Sequence, residues 1–162
     1  MGFSGYDIEK SKWRKIMEDK ELIIRADNFY NGDASYGDPA KKILDGISSE
    51  SASKHPDKNT HNAAELLAHI VGWKDVYLKR FQGDSKATID QNLSFDWKRI
   101  DKNEKSAWKS LVSAFEKNHR QLVSCLEQEK SDMAAKEKLL NNIMEHDIYH
   151  LGQIALIKKL AG

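Results

Sequence analysis

The chain has 162 residues, with 26 Lys+Arg against 25 Asp+Glu and a formal net charge of +1. Such a length suits one domain that buries roughly two thirds of its unfolded surface, and the near balance of charge gives no general reason to expect a nucleic-acid or membrane partner. No apolar run approaches the ~18 residues of a membrane span, no hydrophobic leader is evident, and the lone Cys125 rules out an internal disulfide framework. The expectation is a single cytoplasmic domain over residues 1–162.

From Ile8 to about Tyr30, Trp13, Ile16, Met17, Ile23, Ile24 and Tyr30 recur at roughly helical spacing, which predicts a first amphipathic helix. Asn31, Gly32 and Asp33 end it, because Gly and Asn tolerate the left-handed backbone that closes a helix. Asp38-Pro39 reads as the cap and first position of a short helix through Leu44, stopped at Gly46. Ser48 to Asn59 is polar, contains Pro56, and reads as a connection.

A second long helix is expected from Thr60 to about Gln82, before Gly83. Its apolar stripe is Leu66, His69/Ile70, Trp73, Val76/Tyr77 and Phe81, with Lys74, Lys79 and Arg80 mostly outside. Gly83 to Asn103 reads as a long linker anchored by Trp97, whose indole offers a large apolar surface and an N–H. A third long helix follows from about Glu104 to Gln128, with Trp108, Leu111/Val112, Phe115, His119, Leu122 and Leu126 on one side. The charged stretch Glu129 to Lys136 is expected to be the last loop. A fourth helix then covers Leu139 to Leu160, where Leu139, Ile143, His146, His150, Ile154 and Ile157 recur at three- and four-residue steps. No segment alternates with period two for long enough to make a strand, so the fold expected is all-α, a helical bundle.

His146 and His150 stand one turn apart on an apolar stripe, and two buried imidazoles are costly unless their polar atoms are compensated. A divalent metal ion would do so, with His69 on the second helix as a third ligand and Glu65, Glu145 or Asp147 as outer partners of the rings. On periodicity alone this reading stays open beside hydrogen-bonded core histidines. His55 and His61 flank a loop and a helix start and read as solvated. Glu116 and His119 form one Glu-x-x-His, but di-iron bundles need two such motifs, so His119 reads as a hydrogen-bonded residue at the core edge. The His146-Asp147-x-x-His150 spacing departs from the zinc-protease helix, because Asp147 stands where the longer Glu is required. Cys125 reads as buried and inert.

The segments Glu65-Leu-Leu-Ala-His69-Ile-Val-Gly-Trp73 and His146-Asp-Ile-Tyr-His150-Leu-Gly-Gln153-Ile strongly resemble the two signature helices of the DinB-like family of metalloenzymes. Asp38 to Ile47 resembles the short helix and glycine that precede the first signature, and the similarity covers most of the chain from about residue 36. The resemblance implies a four-helix bundle with an unusual connection order, a long crossover linker and a short extra helix. It also implies a divalent metal ion held by His69, His146 and His150, with Gly152 permitting close helix packing and Gln153 pointing to the pocket.

Members of that family include bacillithiol- and mycothiol-dependent S-transferases, an isomerase using such a thiol, and proteins described as metal-dependent hydrolases. The resemblance therefore implies a small-molecule substrate, with a low-molecular-weight thiol among the candidates. Three histidines leave a coordination position open, the pattern of a catalytic site, and a divalent ion can acidify water or activate a thiolate. Zinc or nickel is expected ahead of iron. Glu65 and Gln153 are the candidate catalytic residues, Trp73, Tyr77 and Tyr149 either shape the pocket or belong to the core, and a homodimer is expected. The alternative is a non-catalytic metal-binding or stress-related bundle.

Overall fold

The structure, a computed structural model, describes residues 5–89, 97, 99–100 and 106–161. Within them are four long helices, α1 (Gly5–Asn31), α4 (Ala63–Phe81), α5 (Ala107–Leu126) and α6 (Met133–Ala161), and two short ones, α2 (Ala40–Leu44) and α3 (Ser49–Ala52). No strand occurs among the described residues. None of the helices is long and apolar enough to cross a membrane. Both α1 and α4 pack against α5 and α6, so α5 and α6, consecutive in sequence, stand largely across the bundle from each other. That is the unusual connection order implied by the family resemblance: the links from α1 to α4 and from α5 to α6 cross the bundle, while α4 and α5 are neighbours. Much of the crossover expected over Gly83 to Asn103, and the expected start of α5 at Glu104, lie outside the described residues.

Beside a small cluster of Val76, Ala87 and Ile89, two larger ones fill the interior among the described residues. One gathers Phe29, Leu66, Leu67, Ile70, Phe115, Leu151 and Ile154, and the other Leu22, Leu78, Leu122, Leu126, Leu140 and Ile143. The centre of the buried stripe on α6 runs Lys136, Leu140, Ile143, Asp147, Leu151, Ile154, at steps of four, three, four, four and three. It is therefore rotated slightly from the stripe through the histidines, and His146 is only half-buried at its rim. Lys136 explains why α6 begins at Met133 and not beyond the charged stretch. Its side chain is fully buried, and its Nζ lies 2.6 Å from Asp19 Oδ1 on α1. The segment read as a loop is thus ordered by an ion pair that no single-helix pattern displays.

Helix α4 begins at Ala63, three residues later than the periodicity suggests, because Asn62 caps it. Asn62 Oδ1 accepts from Glu65 N (2.9 Å), and Glu65 Oε2 accepts from Asn62 N (3.3 Å), a reciprocal capping box. The fully buried Asn62 also donates through Nδ2 to the carbonyls of Ser53 (3.2 Å) and Ile100 (2.9 Å). One side chain so ties the connections on both sides of α4 to its first turn. Short α3, within a segment read as irregular, is capped by Ser48, whose hydroxyl accepts from Ser51 N at 3.0 Å. Helix α2 starts at Ala40 with Pro39 as its cap residue, while Asp38 pairs with Lys42 at 2.7 Å.

His119 is buried at the core edge, as its stripe position implies. Its Nε2 lies 3.0 Å from Asp27 Oδ1 and its ring stacks on Tyr30, centroids 4.2 Å apart. Glu116 turns away to Arg120 at 2.8 Å, so the Glu-x-x-His pair does not act together. Burial pushes the His119 imidazole below its ordinary 6.5, against the opposing pull of Asp27. Cys125 is buried, and burial pushes its thiol up, in keeping with an inert core residue.

Two outcomes are expected. Asn62→Ala should cost about 2–3 kcal/mol by urea unfolding, combining a lost cap with stranded buried partners; a loss under about 0.5 kcal/mol would show that the two connections are not held here. For His119 the unfolded chain protonates first on acidification, so its contribution is complete above about 6.5 and is lost between there and the lower folded value. Stability should therefore fall more steeply from about pH 7 to about pH 5 in the native chain than in His119→Gln; parallel profiles would reject the assignment.

Candidate metal centre

His69 is set by α4, its capped first turn fixing the helix and its apolar neighbours turning that face inward. His146 and His150 are set one turn apart on α6. Because α4 packs directly on α6, the three rings meet: one ligand atom from each can be chosen so that all lie within 4.8 Å of one another. Ring centroids are 5.1 Å apart for His69–His146, 4.6 Å for His69–His150 and 4.8 Å for His146–His150. His69 and His150 are buried, while His146 is half-buried.

The donor set suits a divalent ion. Ligand nitrogens about 2.0–2.1 Å from a tetrahedral ion stand roughly 3.3 Å apart, and His69 Nε2 and His146 Nε2 are 3.1 Å apart. The ring orientations are supported from behind. Gln153 Oε1 accepts from His150 Nδ1 at 2.8 Å, which leaves His150 Nε2 with a lone pair. Burial also pushes the His150 imidazole below its ordinary value, against the effect of the Gln153 bond, so the neutral form that a metal requires is favoured. Gln153 thus stands behind a ligand, and it also lines a cleft at the edge of the site.

Glu65, the other catalytic candidate, is engaged elsewhere. Beyond the capping box, its Oε1 accepts from Ile100 N at 3.0 Å, and its carboxylate meets His61 Nδ1 at 3.1 Å and His55 Nε2 at 3.4 Å. The acid therefore organises the cap and the incoming linker. His55 and His61, read from sequence as solvated, are both part of this cluster, and His55 Nδ1 also donates to the Thr60 carbonyl at 2.9 Å. Glu145 is exposed, whereas Asp147 is fully buried, its Oδ1 3.5 Å from His146 Nδ1. Gly152 does not serve close helix packing: it is exposed, and an added Cβ would meet nothing within 4 Å.

Aromatic rings surround the histidines. Trp73 and Tyr77 of α4 approach His146 at 6.4 and 6.3 Å, and the exposed Tyr149 stands edge-on to His150 at 4.8 Å. Trp97 does not anchor in the core. It remains 40% exposed and stacks on His69 (4.1 Å) and on His61 (4.0 Å). Its backbone is left-handed, with φ 63°, a conformation costing of order 1–3 kcal/mol in a non-glycine residue. Beside these rings lies a cleft of about 470 Å³, walled by Asn59, Thr60 and His61 on one side and Gln153, Leu156 and Leu160 on the other.

Lys74 is the correction to the sequence reading that matters most here. Expected outside the apolar stripe, it is fully buried, with Nζ 2.6 Å from Asp147 Oδ2 and 4.0 Å from the centroid of the Phe115 ring. A signal was present: Leu67, Ile70, Lys74 and Leu78 share core spacing.

No match was found among curated proteins or among solved structures. The family model described as the DinB family matches residues 17–162, a span that contains α2 to α6, most of α1 and all three converging histidines. With most of the helical bundle and the whole histidine triad lying inside that match, the chain belongs to the DinB family.

Proposed function

We propose that this chain is a metal-dependent enzyme acting on a small molecule, by transfer to or from a low-molecular-weight thiol or by hydrolysis. The observation that supports it most is the convergence of His69, His146 and His150 within 4.8 Å, beside an open cleft. A structural metal site is closed by four protein ligands, whereas three leave a position for an exchangeable ligand. When bound, a divalent ion supplies Lewis acidity, which lowers the pKa of a water or thiol presented to it. Imidazole suits zinc, nickel and iron alike, and zinc or nickel is preferred on the general order of divalent-ion affinities, in which ferrous iron binds more weakly.

The chain's own residues perform the remaining tasks. Gln153 holds the His150 ring with Nε2 toward its neighbours. Trp97 covers one face of His69 and restricts the approach to it. Leu156 and Leu160, 58% and 70% exposed, offer the apolar wall of the cleft to the less polar part of a substrate. Exposed Trp13, Met17 and Ile24 share one face of α1, which supports pairing of two copies of the chain. A second reading, a metal-binding bundle without turnover, is favoured by one specific observation: the Glu65 carboxylate is occupied by the α4 cap and its histidines.

Elemental analysis of the untagged chain should give near one zinc or nickel per molecule, and His69→Ala and His150→Ala should each abolish stoichiometric binding while keeping the helical circular dichroism. Metal retained in full by either variant would sink the ligand assignment. Turnover screened with thiol-transfer and hydrolysis substrates, lost on chelation and restored by the ion, separates the enzyme from the non-catalytic bundle.

A further inference from the structure

We infer that Lys74 and Asp147 are a positioning pair for the metal centre: Asp147 holds the His146 ring with Nε2 toward the other ligands, and Lys74 fixes Asp147 and cancels its charge. The inference rests on the reading of the three histidines as ligands; of the three outer partners the sequence offers it assigns Asp147 to His146, and it adds Lys74 behind it.

Both side chains occupy positions where the surrounding pattern calls for hydrocarbon. Lys74 follows Leu67 and Ile70 and precedes Leu78, while Asp147 lies between Ile143 and Leu151, and both residues are fully buried. A buried ion pair is a poor means of stabilising a fold, since well-packed apolar residues of similar volume commonly do as well or better. The contact itself is oblique. Nζ and Oδ2 are 2.6 Å apart, yet among the described residues neither atom completes an aligned hydrogen bond. Lys74 Nζ instead shares its charge with the faces of Phe115 (4.0 Å) and Phe29 (5.3 Å). Stability alone therefore gives no reason for this pair.

Its geometry relative to His146 does. One carboxylate oxygen of Asp147 meets Lys74, and the other lies 3.5 Å from His146 Nδ1, at the outer limit of a hydrogen bond. The opposite ring nitrogen, Nε2, points to His69 Nε2 at 3.1 Å. A carboxylate behind Nδ1 favours the tautomer protonated there and leaves the Nε2 lone pair for an ion, the arrangement that tunes many histidine-bound metals. His150 has its own support in Gln153, so each α6 ligand is held by a different neighbour. Because Lys74 cancels Asp147, this support adds no net charge beside the ligands, and a divalent ion there keeps its preference for an anionic fourth partner, such as a thiolate or hydroxide.

The test uses the full-length chain with Asp147→Asn and the double variant Lys74→Met/Asp147→Leu. The double variant keeps the core apolar and should fold with native or higher stability. Zinc affinity, read by competition with a chromogenic chelator, should nevertheless fall about 10–100-fold in it. In the metal-free chain, 15N–1H correlation spectra should show His146 as the Nδ1–H tautomer, and a mixture in the double variant. Native zinc affinity together with an unchanged tautomer in the double variant would overturn the inference and leave the pair as packing. If the native chain itself binds neither zinc nor nickel, the metal reading fails, and the tautomer comparison still decides whether Asp147 holds His146.

Discussion

Where α4 lies against α6, Leu67 and Ile70 share a cluster with Leu151 and Ile154, and Leu78 shares one with Leu140 and Ile143. Apolar contacts of this kind are non-directional and tolerate sliding. The ion pair between Lys74 and Asp147 does not, because a one-turn slip of about 5.4 Å would leave both charges buried without a partner. Their meeting is satisfied in one register of the two helices, which the clusters on either side of it also fill, and the same register brings His69 beside His146. The core and the histidine cluster are two results of one docking.

Much of this was legible in the sequence. The long helices follow from apolar spacing, and the three histidines fall on facing stripes of two of them. What stayed hidden were pairings between helices. The burial of Lys74 and Lys136 depends on Asp147 and Asp19, carboxylates that sit on other helices, and a one-dimensional pattern scores a lysine as exposed. The helix start at Asn62 is not distinguished by apolar periodicity, which runs on to Thr60. The advantage of Asn62 lies in Nδ2, which reaches two carbonyls far apart in sequence. His61 is exposed, as its place at a helix start implies, but His55 is largely covered, and the acid that gathers both, Glu65, is four and ten residues away in sequence with no pattern linking them.

The position of the histidines at the rim of the α6 stripe has chemical weight. Had His146 and His150 stood where Asp147 and Leu151 stand, the site would be sealed in hydrocarbon. At the rim, the half-buried His146 has the packed interior on one side, which restrains the ring, and solvent on the other, while the buried His150 is separated from the cleft by Gln153. Buried and accessible demands are both met by a rotation of a fraction of a turn.

The sequence distance between the clustered histidines has a kinetic consequence. His69 and His146 are 77 residues apart, and the chain between them carries α5 and the crossover. Closing so long a loop is entropically expensive, and contacts of this separation tend to form late in folding. An ion bridging the two helices would consequently find few partly folded chains able to hold it. Its stabilising effect would fall on the rate of unfolding and leave the rate of folding nearly untouched. For this bundle the metal would act as a latch closed after assembly, not as a template around which the helices gather.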